Sequence, residues 1–379
     1  MNNKITLLLL LLITVCLWNC SRETEPDEYY TFEVIEGVRH VHNYKPQWGD
    51  EPKVALEFVQ KIGGLEVTDE NYMFFNPDDI AMDSDGNLYV LDAGNYRIQK
   101  FDSQRKYLAT FGRKGLGPSE FQMPNDIDVG KDGNIFVYEA RSKPFMILLN
   151  PQGKELKRFS YEDESGQAFL MLRSGEIARF NNDTKDRLNL IYIFDTNGKK
   201  LREFVNATKY EDEAFNYPGN FIKFNIDKKD NIYVCFEHQN RIEKYSPEGK
   251  LLMKTDRPLD FEITYEKRKR IIRGGLIPRE VINAIISRVS KEIGVDHKER
   301  IWAITYRRQR EDDDKEKYPD PHVLAEELFR FDIFDPEGIY LGSFPVEKDF
   351  DSMHIYDNRL FLIDSGNEMC IYEYKIVEK

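Results

Sequence analysis

One phrase returns along the chain at irregular intervals, and a repeat constrains architecture before any single residue does. It consists of an apolar pair, a polar turn rich in Asp, Gly and Asn, and a short apolar strand. It reads Ile80-Ala81-Met82-Asp83-Ser84-Asp85-Gly86-Asn87-Leu88-Tyr89-Val90, then Ile127-Asp128-Val129-Gly130-Lys131-Asp132-Gly133-Asn134-Ile135-Phe136-Val137. A third copy is Phe224-Asn225-Ile226-Asp227-Lys228-Lys229-Asp230-Asn231-Ile232-Tyr233-Val234. Weaker copies lie at 172–177, 295–302 and 355–361, so alignment on Leu88, Ile135, Ile177, Ile232, Ile301 and Leu360 gives six units.

A second phrase follows each of the first five units: 101–106, Asn150-Pro151-Gln152-Gly153-Lys154, Asp195-Thr196-Asn197-Gly198-Lys199, Ser246-Pro247-Glu248-Gly249-Lys250 and Asp335-Pro336-Glu337-Gly338. Each is a tight-turn signature between β-rich runs. Two hairpins per unit make four antiparallel strands, which cannot bury both faces alone and must stack on neighbours in a ring. The sequence therefore predicts an all-β, six-bladed β-propeller. A β-sandwich is the competing arrangement, but it needs no repeated turn phrase. The sixth unit lacks the second phrase, while Lys53-Val54-Ala55-Leu56-Glu57-Phe58 copies the rhythm of Lys106-Tyr107-Leu108-Ala109-Thr110-Phe111. An N-terminal strand is thus expected to close the last blade and remove an open edge.

The stretch from Phe75-Asn76-Pro77-Asp78-Asp79-Ile80 through Asp92-Ala93-Gly94-Asn95-Tyr96-Arg97-Ile98-Gln99-Lys100-Phe101 resembles an NHL repeat, as does the connection Phe111-Gly112-Arg113-Lys114-Gly115-Leu116-Gly117-Pro118. Together with its N-terminus, the chain is similar to the six-bladed, TolB-like propeller lipoproteins of Bacteroides-type bacteria. That resemblance implies the same fold and a place outside the cytoplasm, as an outer-membrane lipoprotein that is periplasmic or surface-exposed.

The N-terminus itself carries Lys4 and the 7–12 leucine run. An apolar core of about 14 residues suits a signal peptide over 1–19 better than a membrane span. Cys20 is the expected lipidation site, although Asn19 is not the small residue usual before it, and Cys16 is a poorer candidate. Residues 20–50 are expected to form the lipid tether and linker, acidic at Glu23, Glu25, Asp27 and Glu28, and 51–379 the propeller. The membrane is then met through the lipid alone, and a monomer is expected. A formal net charge of −13 does not suit nucleic acid, whose binding is driven by clustered Lys and Arg. Cys235 and Cys370 fall in strands of different blades and are expected as buried free thiols.

Two insertions stand out. The first, at 258–287, contains Pro278 followed by apolar residues at helical spacing and is expected to supply a small helical insertion. The second, at 306–327, carries the charged run Arg307-Arg308-Gln309-Arg310-Glu311-Asp312-Asp313-Asp314. Both project from the propeller face that also carries the starts of the inner strands. They read as a lid over the channel mouth, or as an appendage covering a blade edge and a solvated loop.

Ligand-binding candidates on that face are Asp79 and Asp126 at the starts of inner strands, then Asp92, Asn95, Arg97, Glu139, Arg141, His238, Arg241, Asp364 and Asn367. Convergence of such groups on a concave mouth is the usual form of a ligand site, although Asp92-Ala93-Gly94-Asn95 is also what a tight turn demands. No His-Glu-x-x-His, Gly-x-Ser-x-Gly or Cys-x-x-Cys motif occurs. The reading favours a binding module for a small molecule, glycan, peptide or protein, with no cofactor evident. The alternative is a propeller hydrolase or lyase in which inner-strand carboxylates hold calcium.

Overall fold

The computed structural model describes residues 28–140, 144–161, 168–181, 188–272 and 279–379, with side chains omitted at 270–272 and 279–281. Six antiparallel blades of four strands each form the ring, five as separate sheets and the fourth within a six-stranded sheet that an N-terminal hairpin extends. Their innermost strands are Pro77–Met82, Pro124–Val129, Phe169–Met171, Ile222–Ile226, Ser290–Val295 and Ser352–Tyr356, for blades 1 to 6. Blades 1 to 5 end on the outer strands Tyr107–Phe111, Glu155–Phe159, Lys200–Asn206, Leu251–Thr255 and Tyr340–Pro345, while blade 6 takes its outer strand, Val54–Gly63, from the N-terminal side of the ring.

The repeated phrases are built from local side-chain chemistry. Across the first hairpins of the blades, several turns are set by a short polar side chain: Asp83 accepts from the N–H groups of Asp85 and Asn87, and Asp227 from those of Lys229 and Asn231. One residue in each of these turns is left-handed: Gly86, Gly133, Gly175, Asp230, Glu299 and Asp357. In the second hairpin Asp102, Asn150, Asp195 and Asp335 do the same, and the fourth residue of the turn is again left-handed. At Gly249, φ is +88° and an added Cβ would run into the Phe204 ring on the outer strand of blade 3. The turns of blades 2 to 5 seat against the preceding blade in this way, and at Gly249 glycine is required by both conformation and space.

Six apolar clusters fill the six interfaces between neighbouring blades. The one that closes the ring joins Ile62, Phe361, Ile363 and Ile371 of blade 6 to Ile80, Leu88, Val90 and Phe101 of blade 1. Each fully buried Leu, Ile, Val or Phe contributes about 1.5–3 kcal/mol of transfer free energy, so the core is annular rather than central. Cys235 and Cys370 are both buried and unpaired. Among the described residues no helix is long and apolar enough to cross a membrane.

Three expectations need correction. The insertion at 258–287 is not helical: Tyr265–Ile272 and Arg279–Ile286 pair as a β-hairpin, Tyr265 opposite Ile286. The β-branched residues Val281, Ile282, Ile285 and Ile286 favour a strand, and a run this short satisfies both periodicities. Helix is found instead in the charged insertion, as α1 (Asp314–Lys317) and α2 (Pro321–Leu328), the latter capped by Asp320. Leu324, Ala325 and Leu328 of α2 pack into the cluster between blades 5 and 6. The stretch read as a linker to residue 50 is structured from Tyr30. There Tyr30–Ile35 and Val38–Asn43 form a hairpin whose second strand lies parallel to the outer strand of blade 4. Residues 1–27, with Cys16 and Cys20, lie outside the described residues.

Candidate functional site

Alternate residues of a strand face the same way, so polar residues two apart on an innermost strand point together at the ring axis. Asp126 and Asp128, Lys223 and Asn225, and His354 and Tyr356 are such pairs. With Asp79, Glu292 and residues of blade 3 they line a cavity of about 510 Å³ to which all six blades contribute. It opens on the face where the inner strands begin.

The carboxyl groups tie adjacent blades together. Asp79 accepts from its neighbour Ile80 N–H through Oδ1 and from Ile127 N–H of blade 2 through Oδ2, both at 2.8 Å. Asp126 and Asp128 accept from Phe169 and Met171 N–H of blade 3, at 2.9 and 2.7 Å. The Tyr356 hydroxyl donates to the Ile80 carbonyl at 2.9 Å, joining blade 6 to blade 1, and Lys223 pairs with Glu292 at 2.9 Å between blades 4 and 5. The inner strands of blades 6, 1, 2 and 3 are thus linked by side chain to backbone bonds, and those of blades 4 and 5 by an ion pair.

Charge is distributed unevenly around this ring. Burial alone would raise the Asp79 carboxyl, but the His354 imidazole, whose Nε2 lies 3.0 Å from Asp79 Oδ1, and a hydrogen bond from Asp126 hold it below the usual range. Burial and the adjacent Asp79 charge push Asp126 far up, so the two carboxyl groups titrate as a coupled pair. His354 would be depressed by burial, yet the Asp79 carboxylate raises it. Burial also raises Asp128, to about 7 despite two N–H bonds, which places a proton-exchanging carboxyl at the axis. Across the cavity, Glu292 raises Lys223, burial raises Glu237, and burial depresses His238, whose Nδ1 lies 3.1 Å from the Ser287 carbonyl.

Of the residues expected from sequence, Asp79, Asp126 and His238 line this cavity. Asp92, Asn95, Arg97, Glu139, Arg241, Asp364 and Asn367 do not, and Arg141 lies outside the described residues. Asp92 is fully buried, accepts from Phe75 N–H, and binds Asn95 and Arg97, fixing the entry to blade 1. Glu139 does the equivalent in blade 2 through the N–H groups of Gln122 and Met123. Arg241 stacks on Phe236 at 3.7 Å beside Glu243. Asp364 accepts from Asn367 N–H, and the Asn367 amide donates to Asp349, holding a loop of blade 6. Sequence reasoning missed Asp128, His354, Tyr356, Lys223, Arg288 and Glu292. The signal available for four of them was polar spacing of two on an inner strand.

Among the described residues neither insertion covers the cavity. Tyr265 of the hairpin packs on Tyr210 and Phe215 of the connection before blade 4, and α2 is held to blade 6 by His322, which pairs with Glu368 at 3.0 Å. Among the described residues only the hairpin's base reaches the wall, through Arg288, and no three His, Cys, Asp or Glu side chains are grouped to hold a metal.

The NHL repeat family model matches residues 74–101, three strands of blade 1 and the entry to them. A Caenorhabditis elegans protein named as a peptidyl-alpha-hydroxyglycine alpha-amidating lyase is 25% identical over 136 residues, covering 35% of this chain and 37% of that protein. The chain spans between 12% and 56% of the length of four curated relatives that it matches. Among solved structures, a member of the DUF4221 family from Bacteroides vulgatus aligns with a TM-score of 0.60 at 10% identity, over 86% of this chain and 99% of that one. A protein of Bacteroides fragilis designated as exported aligns with a TM-score of 0.57 at 11% identity, over 90% and 99% of the two chains. At these identities the structures speak to fold alone: the chain is a six-bladed β-propeller that contains an NHL repeat in its first blade.

Proposed function

We propose that this propeller is an extracytoplasmic binding module, tethered to the outer membrane by lipid on Cys20, that captures a small ligand in the cavity at its axis. The observation that carries the reading is the cavity itself. Its volume of about 510 Å³ falls within the usual range for small-molecule sites, and it combines aromatic walls with a few converging polar groups. The extracytoplasmic placement draws on the leader-like N-terminus and on the exported designation of the Bacteroides fragilis protein. A screen by thermal shift, followed by calorimetry, tests the site. A ligand so found should be lost when Leu170→Trp fills the cavity and kept when Lys154→Glu alters the opposite face. Retention by the filled variant overturns the assignment. Metabolic labelling with a palmitate analogue should mark the wild-type chain and not Cys20→Ala.

A second reading, lyase or hydrolase chemistry at the same mouth, is favoured by the likeness to the amidating lyase and by Asp128, whose carboxyl titrates near neutrality. It predicts turnover of a screened ligand that Asp128→Asn abolishes without loss of binding.

A further inference from the structure

Acceptor work at the axis does not require charge. Asn225 on blade 4 takes the Ile226 N–H on its side-chain oxygen at 2.8 Å, just as Asp79 takes that of Ile80 and Asp128 that of Val129, at 2.8 and 2.7 Å. A neutral amide therefore suffices for that bond. Yet blades 1 and 2 place four carboxyl groups, Asp78, Asp79, Asp126 and Asp128, on one wall, and the described basic group against them is His354, already paired with Asp79. On the opposite wall Lys223 is paired with Glu292 at 2.9 Å, and Arg288, which donates to the Tyr306 hydroxyl at 3.2 Å, has the Glu237 carboxyl in its surroundings. Between the two walls the lining is aromatic, from Phe169, Phe180, Phe221 and Phe224. A surplus of carboxyl groups beside aromatic faces is the environment in which a positively charged nitrogen is held by ion pairing and by the ring quadrupoles.

We infer that the cavity takes a ligand with an organic ammonium head and an apolar body, the head against Asp126 and Asp128 and the body against the phenylalanines. This rests on the binding reading given above and names the ligand's chemistry. An ammonium head beside Asp126 and Asp128 favours their ionised forms and pairs with them, whereas an anionic or neutral head gains no such pairing.

The experiment compares 2-phenylethylamine, 2-phenylethanol and 3-phenylpropionate by calorimetry at pH 7.5. The probes share a ring and differ in head charge. The wild-type protein is set beside Asp128→Asn and the double variant Asp126→Asn with Asp128→Asn, whose amides keep an acceptor for each backbone N–H. The amine should bind about tenfold or more tighter than the alcohol, and the propionate weakest. That preference should shrink in the single variant and vanish in the double one. Melting temperatures of both variants at or above wild type establish folding independently. Equal affinity for amine and alcohol, tighter binding of the propionate, or a preference that survives in the double variant overturns the inference. If the alcohol binds as well as the amine and Leu170→Trp abolishes both, the ammonium inference falls and the binding site stands. If no probe binds, the inference also falls, and the cavity is judged by the screen alone.

Discussion

His354 is the residue on which the axis turns electrostatically. Its folded-state pKa lies above the ordinary 6.5 because Asp79 faces it, and that of Asp79 lies below the ordinary 3.8. The histidine's contribution is therefore complete below pH 6.5 and lost as pH rises through its raised value. The aspartate's contribution is present above pH 3.8 and lost as pH falls through its lowered value. His354→Gln should thus lower the melting temperature more at pH 5.5 than at pH 9, measured by scanning calorimetry. An equal penalty at both would mean that the pair adds nothing. Gly249 makes a different residue-scale case. With φ at +88° and Phe204 where a Cβ would go, Gly249→Ala should destabilise by roughly 1–3 kcal/mol and lower the melting temperature by about 3 °C or more, whatever the pH.

At the scale of elements, the turn between the third and fourth strands shows what was legible in the sequence and what was not. Asp102, Asn150, Asp195 and Asp335 announce their turns because the side chain bonds the backbone two residues on, a local matter. The hairpin at 265–286 was not legible, because a β-branched run with apolar spacing fits both strand and helix until its partner strand is known. The axis was half legible: Asp79 and Asp126 begin inner strands in plain view, but His354 and Lys223 acquire meaning only when six strands are set around one axis. One turn departs from its copies. Where blades 2 to 5 have Gly153, Gly198, Gly249 and Gly338, blade 1 has Arg105, itself left-handed at φ +66°. Its guanidinium makes two bonds of 3.0 Å to Glu373, crossing to blade 6 at the seam of the ring. Arg105→Gly would suit the backbone yet leave Glu373 buried with only Arg359 and Gln60 beside it. Chemical denaturation should show a loss of about 3–5 kcal/mol, nearer the lower figure for the remaining partners. An unchanged midpoint would show that the seam is held by apolar packing alone.

For the whole molecule, the outer strand of blade 6 and the N-terminal hairpin separate two kinds of N-terminal contribution. The hairpin is tied on by Asn43, which donates to Thr255, Asp256 and Gly338 and accepts from Tyr340, bridging blades 4 and 5. Removing residues 28–43 should lower the melting temperature but leave a single cooperative transition. Removing residues 28–63 takes the closing strand as well, exposing the edge of Cys370–Glu378 and taking Ile62 and Val54 out of the clusters on either side of blade 6. That shorter chain should lose cooperative melting and aggregate. A cooperative transition in it would show that the ring closes without the strand.

The same closing strand sets a clock for the chain. Cys370 pairs with Gly63 and Glu378 with Val54, so a strand synthesised early has to wait, unpartnered, until more than 300 later residues have emerged. Five blades can collapse one after another as they appear, each on local turns, but the sixth cannot exist before the chain is nearly complete. Throughout that interval two apolar edges, that of blade 1 and that of the waiting strand, face the surroundings, which makes the moment just before closure the one at which this molecule most needs to be kept from its own copies.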